Sequence, residues 1–247
     1  MKTATCSVLL GLALLGNIDL VASEETDSFT LSEGGRRGSK EPASSGRNHL
    51  ESVFLVAGDA GTSLISKDGV GWSPGDVAKT TQWRSTCRGN GIFVTVGCDG
   101  RLRSSTERTH WTLRESGIPF ALHGVAFGKG RFAAVGNEGA LVTSEDGINW
   151  TPREAGTDER LRGIAFGNDT FVAVGYAGTV LTSRDGLRWT LRKSGTDARL
   201  LGVAYGNGTF VAAGWHGLIL TSAAGSKWTR RTSGTASHLR RITFDSP

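Results

Sequence analysis

Three cysteines, five prolines, one methionine and two tyrosines are all that the 247 residues hold of these types. So little cysteine excludes a disulfide-stapled scaffold. A multi-span membrane protein is excluded too. The apolar run at residues 8–15 is far short of the roughly 20 residues a spanning helix needs, and Asp19 soon follows it. No stretch carries a 3.6-residue apolar period long enough for a helix, which argues against bundles and coiled coils. Lopsided charge is missing as well: 21% of residues are charged, the net charge is +5, and 7 Trp and 10 Phe accompany them. That is too balanced and too aromatic for a disordered chain. Common catalytic signatures are also absent, with no Gly-x-Ser-x-Gly, no His-Glu-x-x-His and no phosphate-binding glycine-lysine loop. The histidines His49, His110, His123, His216 and His238 are scattered. No metal and no cofactor is expected. What the chain has in plenty is glycine, 36 residues without a collagen-like period, which calls for many tight turns.

The glycines fall into step. Trp72, Trp111, Trp150, Trp189 and Trp228 lie 39 residues apart, and Phe54, Phe93, Phe132, Phe171 and Phe210 keep the same interval. So do the columns beginning at Gly58 and Gly61. Within one copy the pattern predicts four short strands, at 161–166, 170–174, 179–182 and 189–192. Their residues are β-branched or aromatic, and Gly- or Asn-bearing turns separate them. Four strands per 39 residues, repeated radially, predict an all-β, five-bladed β-propeller over 51–247. The first copy lacks an innermost strand, because residues 44–49 are polar. Residues 239–244 align with 200–205 and supply the missing strand, so the ring is expected to close through the C-terminal segment.

The third hairpin of three copies reads Ser-x-Asp-Gly-x-x-Trp, with Asp68 and Trp72, Asp146 and Trp150, Asp185 and Trp189. This resembles the Asp box of BNR, or sialidase-like, repeats. Together with the preceding Phe-Val-Ala-Val-Gly strand it is similar to the propellers of photosystem II assembly factors and their bacterial relatives. The resemblance implies fold more than activity. It assigns the Asp a structural role, accepting backbone N–H groups across its turn, and the Trp a packing role. Copy two departs from the pattern at Glu107 and Arg108, copy five at Ala224. A sialidase would need an arginine triad and a Tyr–Glu pair. The only tyrosines here are Tyr176 and Tyr205, and Glu138 reads as a turn residue. A non-enzymatic binding or assembly module is therefore expected, with a glycan-binding or glycan-cleaving propeller as the alternative.

Lys2, the apolar run at 8–15 and the small residues Val21, Ala22 and Ser23 read as a secretory signal peptide over 1–23, so a secreted or periplasmic location is expected. Residues 24–50 alternate charge with small residues and read as a flexible linker. Cys87 and Cys98 fall at opposite ends of one hairpin. At about 3.3 Å per residue that is roughly 13–17 Å, so both are expected as free thiols. Residues 51–247 carry 23 Lys and Arg against 17 Asp and Glu. This excess suits a protein or anionic glycan partner rather than nucleic acid, for which no recognition module is present. A monomer is expected. The residues in step at the start of the innermost strands are Arg84, His123, Arg162, Leu201 and Arg240. With Tyr176, Trp215 and His216 on the neighbouring turns, they are the candidate ligand-binding face: a cationic ring beside an aromatic platform.

Overall fold

Alternating β-branched and small residues between glycine turns give antiparallel hairpins throughout the computed structural model, which describes residues 19–21, 54–57, 63–66, 70–74, 82–107 and 110–244. They assemble into five four-stranded sheets. The first holds β1 (Asp19–Val21), β2 (Phe54–Ala57), β3 (Ser63–Ser66) and β4 (Ser73–Pro74), the second β5 (Trp83–Gly89), β6 (Ile92–Gly97), β7 (Leu102–Ser105) and β8 (Thr112–Arg114). The third is β9 (Leu122–Gly128), β10 (Arg131–Gly136), β11 (Leu141–Ser144) and β12 (Thr151–Pro152). The fourth is β13 (Leu161–Gly167), β14 (Thr170–Gly175), β15 (Val180–Ser183) and β16 (Thr190–Arg192). The fifth is β17 (Leu200–Gly206), β18 (Thr209–Gly214), β19 (Ile219–Ser222) and β20 (Thr229–Arg231). The strands expected from the fourth copy match β13–β16 to within a residue at each end.

The core lies between sheets. Phe132, Phe171 and Phe210 are fully buried on the second strands of their sheets, with Leu122, Leu161 and Leu200 at the innermost strand starts. Each such side chain contributes about 1.5–3 kcal/mol by leaving water. Neighbouring sheets interlock because Phe127, Phe166 and Tyr205 lie across Gly89, Gly128 and Gly167 of the preceding sheet. A Cβ at those glycines would sit 2.1–2.2 Å from the ring. Tyr205, expected in the core, also packs on Phe210 with ring centroids 4.6 Å apart.

The Ser-x-Asp-Gly turns form tight local networks. Asp146 Oδ1 accepts from the backbone N–H of Ile148 and of Asn149 at 2.8 Å and from Ser144 Oγ at 2.9 Å. Asp185 repeats this with Leu187, Arg188 and Ser183. These donors, backbone N–H first, hold both carboxyls below the ordinary carboxylate range. Trp150 and Trp189 lean on Phe132 and Phe171, with ring centroids 6.2 and 6.1 Å apart. Asp68 lies outside the described residues, and Trp72 is 37% exposed. In the fifth sheet Ala224 stands where the Asp would be, and the buried Ser222 Oγ is left without a partner.

Two sequence expectations meet a different arrangement. Phe54–Ala57 is paired not by residues 239–244 but by Asp19–Val21, a segment expected to leave with the signal peptide. The register is Asp19 to Ala57, Leu20 to Val56 and Val21 to Leu55. Any extended segment with free N–H and C=O groups can fill an open sheet edge, and this one reaches it. Residues 239–244 belong to no strand. The rest of 1–23 and the linker 24–50 lie outside the described residues. Cys87 and Cys98 are not joined to each other.

Candidate functional site

A one-residue bulge builds the site. In β5 the ladder to β6 passes from Trp83 to Ser85, skipping Arg84. The ladders of β9, β13 and β17 skip His123, Arg162 and Leu201 at the equivalent step. A bulged residue has no cross-strand partner and its side chain is re-aimed, a device common beside binding sites. Here it turns the 84/123/162/201 column toward one shared cavity. The next hairpin turn leans over it. The backbone N–H of Cys98, Asn137, Tyr176 and Trp215 donates to the carbonyl of Gln82, Ala121, Arg160 and Arg199, at 2.9–3.1 Å. Each turn then passes through two successive positive-φ residues, Ala177 and Gly178 in the fourth sheet. At Gly178 a Cβ would lie 1.7 Å from the Thr196 carbonyl oxygen, so only glycine fits.

Arg84, His123, Arg162, Tyr176, Trp215 and Arg240 all line one cavity of about 550 Å³, joined there by His238 and Arg241. His216 is not in its wall, but its backbone N–H donates to His238 Nδ1 at 3.2 Å. Arg162 Nη1 donates to His123 Nδ1 at 3.2 Å, and His123 Nε2–H donates to Asn137 Oδ1 at 2.6 Å. Burial first, then the Arg162 charge, hold His123 down at about 3. It is a neutral link, not a cation of the ring. Arg84 donates to Cys98 Sγ at 3.2 Å and to Gln82 Oε1 at 3.3 Å. Neither guanidinium pairs with the turn carboxylates Asp99 or Glu138, and the Nε–H of each is buried without a partner.

Tyr176 and Trp215 are flanked by cationic and imidazole side chains. Arg199 lies between Tyr176 and Trp215, 4.3 and 4.1 Å from their ring centroids. His238 stacks on Trp215 at 4.6 Å with planes 5° apart, and Arg160 sits 5.2 Å from Tyr176. Trp215 is thus held by a guanidinium and an imidazole while still lining the cavity. The result is a ladder, Arg160–Tyr176–Arg199–Trp215–His238, whose cation–π contacts fix two guanidiniums at the rim. The sequence carried its signal in an overlooked column, Gln82, Ala121, Arg160, Arg199 and His238, 39 residues apart.

A second cavity of about 620 Å³ opens near the Ser-x-Asp-Gly turn of the fourth sheet, walled by Lys129, Arg184, Arg188 and Arg192 among others. No buried unpartnered group faces it, and Arg192 Nε is already bonded to Thr182 Oγ1 at 2.9 Å. The first cavity, with two unused buried donors, is the better-built site. Among the described residues no three His, Cys, Asp or Glu side chains gather to hold a metal, and no helix is long and apolar enough to cross a membrane.

The fold and this face define a class, the β-propeller, and comparison with solved structures supports it. YCF48 bound to D1 peptide is similar over 73% of this chain and 63% of its own, at 18% identity and a TM-score of 0.58. This chain thus spans a little under two thirds of that protein. YCF48 from Cyanidioschyzon merolae matches over 78% of this chain and 74% of its own, again at 18% identity and 0.58. A nidogen/laminin complex matches over 78% and 80%, at 11% identity and 0.57. At these identities the likeness shows the fold alone. No family model and no curated protein matches the sequence.

Proposed function

We propose that the chain is an exported, non-enzymatic, five-bladed Asp-box propeller that binds an acidic segment of a protein partner in the cationic cavity. One observation carries this reading: Arg84 and Arg162, aimed into one cavity by β-bulges, each keep a buried Nε–H without a partner. Both guanidiniums are only half-buried and line the cavity, so their terminal N–H groups can meet an incoming carboxylate, at about 1.5–3 kcal/mol per charged hydrogen bond. Guanidinium forks suit that group, and Arg240 and Arg241 extend the charge along the wall. The YCF48 neighbour, bound to a D1 peptide, supports a peptide rather than a small molecule as the occupant. The test is fluorescence anisotropy with labelled acidic peptides, their amide-neutralised counterparts and a sialylated or sulfated glycan panel. Acidic peptides should bind, and Arg84→Ala and Arg162→Ala should each weaken them by about 1–3 kcal/mol. Glycan binding without peptide binding, or indifference to both substitutions, would overturn the reading.

A further inference from the structure

Beside the innermost strands lies one segment too many. Around the ring run β5, β9, β13 and β17, each leading a four-stranded sheet, with β1 leading the fifth. Residues 239–244 lie beside β17 where the next sheet's innermost strand belongs. A Cβ on Gly202 would come within 3.3 Å of Arg241 Cα and the Ile242 nitrogen, much as one on Gly163 would approach Gly202 Cα at 3.2 Å. Phe244 lies across Gly206 as Tyr205 lies across Gly167, at 2.1 Å from the would-be Cβ in both. The Ser237 carbonyl accepts from Gly217, repeating the bond from Gly178 to the Ala198 carbonyl. These three inter-sheet contacts of an innermost strand are in place, while residues 239–244 belong to no strand. Their side chains show the deficit: Phe244 is 43% exposed and Leu239 half-buried, whereas Leu161 and Leu200 are fully buried.

The two termini also share one register. In the fifth sheet Gly202, Val203 and Ala204 pair with Ala213, Ala212 and Val211. Carried forward by the 39-residue repeat, this sets Arg241, Ile242 and Thr243 opposite Ala57, Val56 and Leu55, the same partners that Asp19, Leu20 and Val21 hold. We infer that Asp19–Val21 and residues 239–244 are alternative innermost strands for β2, and that withdrawal of the N-terminal segment hands the edge to the C-terminal one and closes the ring. Three ladder residues are exchanged for a longer strand that also buries Leu239 and Phe244, so the closed form is the more stable once β1 is gone. The exchange stays within one molecule, so it leaves no edge open for pairing with a second copy. Arg240 to Thr243 form one wall of the cavity, so closure would also fix that wall. This consequence rests on reading the cavity as the binding site, whereas the exchange does not.

Disulfide trapping separates the two states and is blind to ligand binding. Facing residues in an antiparallel ladder have Cα atoms about 4.5–5.5 Å apart, within disulfide reach. In the full chain, with Cys6→Ser, Cys87→Ala and Cys98→Ser and a protease site after Ser23, two pairs are made: Leu20→Cys with Val56→Cys, and Ile242→Cys with Val56→Cys. Before cutting, the first pair should bridge and the second should not. After cutting, bridging of the second should rise at least tenfold while the far-ultraviolet circular dichroism is kept. A companion series removes residues 239–247 before and after cutting. Either loss alone should leave a cooperative melt, and both together should abolish it. Equal bridging of the Ile242→Cys pair before and after cutting, loss of the fold on cutting alone, or a melt that survives both losses would each overturn the exchange.

Discussion

At the scale of single residues, the boxes show what one carboxylate does. Asp146 and Asp185 each satisfy two backbone N–H groups and a serine hydroxyl, whereas Ala224 leaves Ser222 Oγ unpartnered. Ala224→Asp should therefore stabilise the protein by about 1 kcal/mol, and Asp146→Ala should destabilise it by about 1–2 kcal/mol, in urea unfolding at pH 7. Both native carboxyls have folded-state pKa values below the unfolded value. The stability they contribute is thus fully present above about pH 4 and is lost as pH falls through their folded values. The gain from Ala224→Asp should shrink in the same acid window, and a gain unchanged at pH 2 would mean that the new carboxylate does not join the turn. Thiol chemistry offers a second check. Burial pushes the Cys87 thiol up, while Cys98 sits at the rim beside Arg84. Brief alkylation of the native protein, read by peptide mass spectrometry, should label Cys98 and spare Cys87 until denaturant is added.

Among elements, the decisive ones are a bulge and a turn, and neither is written as a motif. The strands were legible because β-branched residues, glycines and the period of 39 all agree, and the Ser-x-Asp-Gly turns because their glycines sit at positive φ. The column Arg84, His123, Arg162, Leu201 was legible as a column, but an alternating pattern does not say which residue a ladder will skip. The ladder of Arg160, Tyr176, Arg199, Trp215 and His238 was missed for another reason. It joins residues from the end of one repeat to a turn in the next, so each contact crosses the unit in which the sequence was read. Which terminus pairs with Phe54–Ala57 was also beyond the pattern, since two segments fit one register. The turn makes a firm prediction. Gly178→Ala puts a Cβ against the Thr196 carbonyl at positive φ, so it should cost at least about 2 kcal/mol in thermal or chemical unfolding. Gly195→Ala, where the Cβ meets nothing within 4 Å, is also at positive φ and should cost about 1 kcal/mol. Equal losses would mean that strain at φ, not the collision, sets the turn.

Over the described residues, the four sheets from β5 to β20 repeat one strand pattern with non-identical side chains, and the charges divide into two kinds. Arg160 and Arg240 are exposed at the rim, whereas Arg84 and Arg162 are half-buried and keep unpartnered Nε–H groups. Rim charges act on an approaching acidic segment through solvent, over a Debye length of about 10 Å at 0.1 M salt. Their removal should slow association and flatten its salt dependence. The half-buried guanidiniums act only after contact, where water is excluded, so their removal should speed dissociation instead. Surface plasmon resonance on an acidic peptide, run between about 0.05 and 0.5 M salt, separates the two. Arg160→Ala and Arg240→Ala should lower the association rate severalfold at low salt and converge with the unaltered protein at high salt. Arg84→Ala and Arg162→Ala should raise the dissociation rate about tenfold or more at every salt concentration, in line with the loss of roughly 1.4 kcal/mol or more per charged hydrogen bond. If all four act alike on association alone, the partner rests on the rim and does not enter the cavity, and the two buried Nε–H groups play no part in holding it.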